Sequence, residues 1–300
     1  MLVPKRTLNY FQFYSTKYIV IFLCTIFFIY TELGLAPRLQ NIKFKLDNPH
    51  ISKSYIEDEV IGGWECIILS VLISSIVVFW YCTIGTPSLR KTISRYNNNI
   101  HEAIEASYDD DDDDDNDMET YSSVRWVQNK YVHFLHLSLI CLLMVITING
   151  AMTNSLKLII GNFRPDFLAR CQPKPLDDEQ ASVDGYYGLD ICQQPNKYIL
   201  IEGLKSTPSG HSSFITAGLG FLFVWQSKFI VGHYLKHVWC LVLIVIVMIE
   251  RITDHRHHWY DVLSGSLLGW LIIWACWRNV FTKQLKRRSL LPAPVTASMD

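Results

Sequence analysis

Three short stretches of the chain bring together residue types that could grip and attack a tetrahedral anion. In the first, Lys157 stands seven residues before Arg164-Pro165, with Asn154 and Gly161 close by. A helix would put both cations on one face. Cations at the end of an apolar helix are costly to bury without an anion, unless they snorkel to the surface. The second stretch is Ser206-Thr207-Pro208-Ser209-Gly210-His211-Ser212-Ser213. Pro, Ser and Gly mark a helix start. A helix N-terminus offers free N–H groups and the positive end of a dipole to an anion. Gly210 lets the backbone approach a ligand closely, Ser209 adds a hydroxyl, and His211 can carry a proton near neutral pH. The plain alternative is an ordinary helix cap beside a lone histidine.

The third stretch runs from Glu250-Arg251 through His255-Arg256-His257-His258 to Asp261. His257 and Asp261 lie four apart, so in a helix the carboxylate would reach the ring. It would fix the tautomer and leave the other ring nitrogen nucleophilic. Arg251 is a further ligand for an anion. A metal site from His255, His257 and His258 is disfavoured, because adjacent histidines diverge on a helix and Lys157, Arg164, Arg251 and Arg256 would repel a cation. Together the stretches supply cations, a helix N-terminus and two histidines, a set suited to a phosphoryl group under in-line attack.

Those stretches must be held by the elements around them. Of 300 residues, 50% are hydrophobic and only 18% charged, below the quarter usual for soluble domains. The apolar residues gather into six blocks, roughly Tyr18–Ala36, Glu65–Gly85, Val132–Thr153, His211–Gln226, Lys236–Ile249 and Val262–Phe281. A membrane-crossing helix needs about 20 such residues. The fourth and fifth blocks are short, and either span with their polar ends or form buried or interfacial helices. The first block has a basic start but no convincing cleavage site after it, so a retained span is expected rather than a signal peptide. The expected fold is all-α: a six-transmembrane-helix bundle with a polar loop region on the catalytic side. The chain divides into an N-terminal segment (1–17), a six-span domain (18–282) and a basic, then disordered, tail (283–300).

Six spans place both termini on one side. The basic cluster Arg278, Lys283, Lys286, Arg287 and Arg288 beside the last span favours a cytosolic tail. The three polar stretches then open together toward the lumen or exterior. The run Asp109–Asp115 lacks the spacing and turn glycine of a calcium loop, so an acidic, solvated insert is expected over about 97–123. Six of the eight cysteines fall in or beside apolar blocks as packing residues. Cys171 and Cys192 lie in one polar loop and are either free thiols or a disulfide, if the loop faces an oxidising compartment. The net charge of −1 singles out no partner, and nothing points to nucleic acid.

At these residues the sequence resembles the type 2 phosphatidic acid phosphatase (lipid phosphate phosphatase) superfamily, whose signature reads KxxxxxxRP, PSGH and SRxxxxxHxxxD. Here the matches are Lys157 to Arg164-Pro165, Pro208 to His211, and Arg251 to His257 to Asp261, in order and at the right spacings. The layout looks most like fungal diacylglycerol pyrophosphate and lipid phosphate phosphatases. One departure is plain: Glu250 stands where the signature has Ser. The resemblance implies a helical bundle and a metal-independent phosphatase without cofactor, acting on phosphatidate, lysophosphatidate or diacylglycerol pyrophosphate in the membrane. It implies that His257 forms a phosphohistidine, that Asp261 orients it, and that His211 protonates the leaving alkoxide. It also implies that Lys157, Arg164, Ser209, Gly210 and Arg251 hold the phosphoryl oxygens. Sphingoid base phosphates and isoprenyl diphosphates remain open as substrates, as does a silent lipid-binding homologue. A channel would carry its polar groups mid-span rather than at span ends. The expected location is a Golgi, vacuole or ER membrane.

Overall fold

The structure, a computed structural model, describes Gln12 and residues 14–37, 42–57, 59–84, 130–174, 185–230 and 234–282. The expected acidic insert, the tail and most of the N-terminal segment lie outside the described residues. Among the described residues the elements are helices, with two isolated bridges and no strand.

The long helices are α1 (Ser15–Gly34), α2 (Gly63–Ile84) and α3 (Lys130–Ile160). Two short helices follow on one side of the bundle, α4 (Phe167–Cys171) and α5 (Lys197–Glu202). Next come α6 (Gly210–Ile215) and α7 (Phe221–Phe229), joined through a π-turn at Thr216–Gly220 with no break in the helix. The last two are α8 (Trp239–Thr253) and α9 (Trp259–Trp277), which runs on into a second π-turn, Arg278–Thr282. Among the described residues, four helices are long and apolar enough to cross a membrane: Ser15–Gly34, Gly63–Ile84, Tyr131–Ile160 and Trp259–Phe281.

Burial explains the arrangement. The α6–α7 helix buries Ser212 through Leu222, together with Trp225, and packs against α2, α3, α8 and α9. A helix buried all round belongs at a bundle's centre. Its polar side chains pair internally, with Asn149 Nδ2 and Thr153 Oγ1 each 2.9 Å from Ser213 Oγ and Thr216 Oγ1 3.0 Å from Ser266 Oγ. The outer helices do the reverse. On α1, α2 and α8, large side chains such as Phe22, Leu33, Ile76, Trp80, Val245 and Ile249 are exposed, a surface for lipid rather than water.

The polar loops at one end of the bundle have a separate small core of Phe44, Ile51, Phe167, Cys171, Ile191 and Leu204. Backbone pairs stitch these loops together: Phe44 with Tyr187, Lys53 N–H to Pro165 O at 2.8 Å, and Leu168 N–H to Ile51 O at 2.9 Å. Cys171 and Cys192 are joined by a disulfide. The polar loops therefore form a packed cap over one end of the bundle.

Candidate active site

The first cation arrives on α3. This helix outruns the expected block by two turns, so Lys157 sits in its last turn. The helix ends at Ile160 because Gly161 takes a left-handed conformation (φ 58°), the usual helix stop. The expected shared helical face for Lys157 and Arg164 is therefore corrected: Arg164 lies beyond the helix, held by its N–H to Gly203 O at 2.8 Å. The two cations still converge, since the charges of both act on His257 and on Glu202.

The second cluster does form a helix start. Ser209 caps α6, its hydroxyl accepting from the Ser212 N–H. Gly210 opens the helix, and a Cβ there would lie 3.1 Å from Lys157 Nζ. The absent side chain lets the ammonium rest over the helix N-terminus. His211 follows, its Nε2 3.0 Å from Ile61 O and 3.3 Å from Arg251 Nη1.

The third cluster departs from expectation at one point. Helix α9 begins only at Trp259, so His257 lies outside it. The Asp261 carboxylate does not reach His257. It accepts instead from Ser206 Oγ at 2.6 Å, from Thr207 Oγ1, and from the His258 N–H at 2.9 Å, closing a capping box. The His257 Nδ1–H donates to Ser206 O at 2.9 Å. Asp261 thus fixes Ser206, and Ser206 fixes the imidazole. The Ser209 N–H also donates to Asp261 O at 2.9 Å, pinning the second cluster to the third.

This arrangement leaves His257 Nε2 carrying a lone pair. Burial first, then the positive charges of Arg164 and Lys157, keeps the imidazole well below its usual pKa. The ring is therefore neutral near pH 7. His255 and His258 turn elsewhere, His255 to Ser54 and His258 to Asp261 and His50 O. Burial works against the charged form of His258, but the Asp261 carboxylate wins and raises its pKa. Among the described residues no cluster of three His, Cys, Asp or Glu side chains could hold a metal ion.

Several site residues were not assigned from sequence. Glu202, from α5, pairs with Arg164 and Lys205, both at 3.0 Å. Against the burial that favours its neutral form, these cations with Lys157 hold its carboxyl down to about 2. Glu59 bridges Arg251 Nη1 at 2.7 Å and Arg256 Nη2 at 3.1 Å. Glu250, the departure from the signature, clamps Arg251 through Nε at 2.6 Å and through Nη2. Nothing in a loop carboxylate's local sequence announces such a partner, whereas Arg256 beside His257 was legible as a nearby cation.

The site is thus a buried, neutral imidazole ringed by cations and a helix N-terminus, a layout for binding and attacking a phosphoryl group. Residues 138–285 match the PAP2 superfamily. Over the full length, the chain is 44% identical to Lipid phosphate phosphatase 1 of Saccharomyces cerevisiae, covering 99% of this chain and 98% of that one. Diacylglycerol pyrophosphate phosphatase 1 of the same yeast is 34% identical over 50% of this chain and 54% of its own. Lipid phosphate phosphatase 1 of Arabidopsis thaliana is 36% identical over 52% of this chain and 48% of its own. No solved structure matches. The chain belongs to the PAP2 superfamily.

Proposed function

We propose that this protein is a multi-pass membrane phosphatase that hydrolyses lipid phosphates through a phosphohistidine at His257. The observation that carries the reading is the state of that imidazole. Its Nδ1 is locked on Ser206 O, its Nε2 is free, and burial together with the surrounding positive charges holds it neutral. In this reading Nε2 attacks phosphorus, and Lys157, Arg164, Arg251, Ser209 and the Gly210 N–H neutralise the phosphoryl oxygens. His211 delivers a proton to the leaving oxygen and then draws one from the water that releases phosphate. The cations supply the charge stabilisation that a metal gives elsewhere.

Phosphatidate, lysophosphatidate and diacylglycerol pyrophosphate are the proposed substrates, supported by the names of the yeast relatives. The six-span reading draws support from α6–α7, continuous over Gly210–Phe229, and from α8, whose outer face is apolar and exposed. With six spans the termini are cytosolic and the capped site faces the lumen or exterior. A disulfide in the cap fits an oxidising compartment, and a Golgi, vacuole or ER membrane is proposed. The test is phosphate release from phosphatidate micelles by purified protein in chelator. Wild-type turnover that is lost in His257→Ala is the expected result. Turnover by the variant would reject the nucleophile, and loss of wild-type activity on chelation would reject the metal-free step.

A further inference from the structure

Glu59 reaches the guanidiniums of both Arg251 and Arg256. Its Oε2 lies 2.7 Å from Arg251 Nη1 and its Oε1 lies 3.1 Å from Arg256 Nη2. The same Oε2 is 3.9 Å from His211 Nε2. Both arginines are buried, and Arg256 Nε has no hydrogen-bond partner. Arg251 is also clamped by Glu250 on its other edge, so the edge facing Glu59 is the one a ligand can share. Glu59 is an anion here, because Arg251 and Arg256 outweigh the burial that favours its neutral form. Its segment is tethered to Arg256 through Ile56 O, and Arg256 stacks over Tyr55.

The carboxylate therefore spans two cations in the way a phosphate would, beside the histidine that serves the leaving oxygen. We infer that Glu59 and Arg256 set the preference between lipid monophosphates and lipid diphosphates, because Glu59 holds the seat that the non-transferred phosphate of a diphosphate would occupy. The inference rests on the reading of His257 as nucleophile and His211 as the proton donor. In a monoester the P–O bond breaks toward a neutral alcohol once His211 has given its proton, so only the transferred phosphoryl draws on Arg251 and nothing anionic needs the Arg256 side of the seat. In a diphosphate His257 Nε2 bonds to the terminal phosphorus, and the P–O bond breaks toward a second phosphate. That group leaves as an anion, next to His211. It must displace Glu59 or be repelled by it, and once seated it gains Arg256. Like charges about 4 Å apart repel strongly in a partly buried site, so the discrimination is large enough to measure.

The experiment compares kcat/KM for diacylglycerol pyrophosphate and phosphatidate in the same micelles, on the same preparation of full-length protein. A loss of folded protein then cancels from the ratio. Glu59→Gln is expected to raise the diphosphate-to-monophosphate ratio by at least about tenfold, and Arg256→Gln to lower it. Glu59→Ser, with the same expected direction, replaces the Gln variant if that one yields no active protein. A ratio within about twofold of wild type in the Glu59 variant, or one that moves the same way in both variants, overturns the inference. Wild-type protein that hydrolyses neither lipid would instead refute the proposed function, which separates the two failures.

Discussion

Gly265 gives the sharpest test of how the site is held, because its substitution acts on geometry alone. It sits one turn after Asp261 on α9, against the backbone of the capping segment. A Cβ at this position would lie 2.4 Å from Ser209 O and 3.3 Å from Ser209 C and N. The oxygen is backbone and cannot rotate away. Reaching ordinary van der Waals contact would require α9 and the Ser209 segment to separate by about 1 Å. That shift would strain the Ser209 N–H to Asp261 O bond, now 2.9 Å, and move Ser206 and Gly210 relative to His257. Displacements of about 1 Å at reacting atoms cost on the order of 100-fold in rate, and overpacking costs roughly 1–3 kcal/mol in stability. Gly265→Ala should therefore drop kcat on phosphatidate by about 100-fold, with a lower but still cooperative Tm. The assay is initial-rate phosphate release beside a thermal melt of the same sample. A variant with more than about a third of wild-type kcat and an unchanged Tm would refute the claimed contact between α9 and the Ser209 segment.

Other consequences follow from single contacts. Asp261→Asn keeps the shape but weakens acceptance from Ser206 and Thr207. It should lower kcat by about 10- to 100-fold with KM little changed, as steady-state kinetics would reveal, and Ser206→Ala should fall the same way but less far. Glu202 has its carboxyl pKa depressed to about 2, so its stabilising effect is fully present above an unfolded value near 4.3 and is lost as pH falls through about 2. Acid unfolding followed by intrinsic fluorescence should therefore flatten over that window in Glu202→Gln, and an unchanged acid limb would contradict the pairing with Arg164 and Lys205. Opening the Cys171–Cys192 bridge, which closes a sequence separation of 21, should cost about 3 kcal/mol by chain entropy. Melts with and without reductant, compared with a Cys171→Ser/Cys192→Ser variant, would measure it, and equal Tm values would contradict the expectation.

Much of the site could be read from the sequence because its residues cluster at the ends of apolar blocks. Helix-start chemistry at Ser209-Gly210 and the cations near α3's end were both legible in this way. Local spacing misled where it presumed a helix. His257 and Asp261 are four apart, yet α9 begins at Trp259 and the carboxylate turns to Ser206 instead. Lys157 and Arg164 are two turns apart, yet Gly161 stops α3 between them. The fourth block read as short because the helix also takes in Ser227, Lys228 and Phe229 past the apolar run, while in its polar first turn Ser212 and Ser213 are buried and Ser213 bonds Asn149 and Thr153 of α3. Glu59 and Glu202 escaped notice because each acquires its meaning only when a distant loop folds onto a cationic pocket. The disulfide was undecidable for the same reason, since only the packed cap brings its two sulfurs together.

The central claim is that His257 becomes covalently phosphorylated during turnover. The most direct measurement mixes wild-type protein with radiolabelled phosphatidate, quenches in alkali within the first turnover, and maps the labelled peptide by mass spectrometry. Label on the peptide containing His257, stable to alkali and labile to acid, is the predicted result, absent from His257→Ala and accumulating if the water step is slowed. Rapid phosphate release with no protein-bound label at any time point, or label on His211 or His258 instead, would contradict the account.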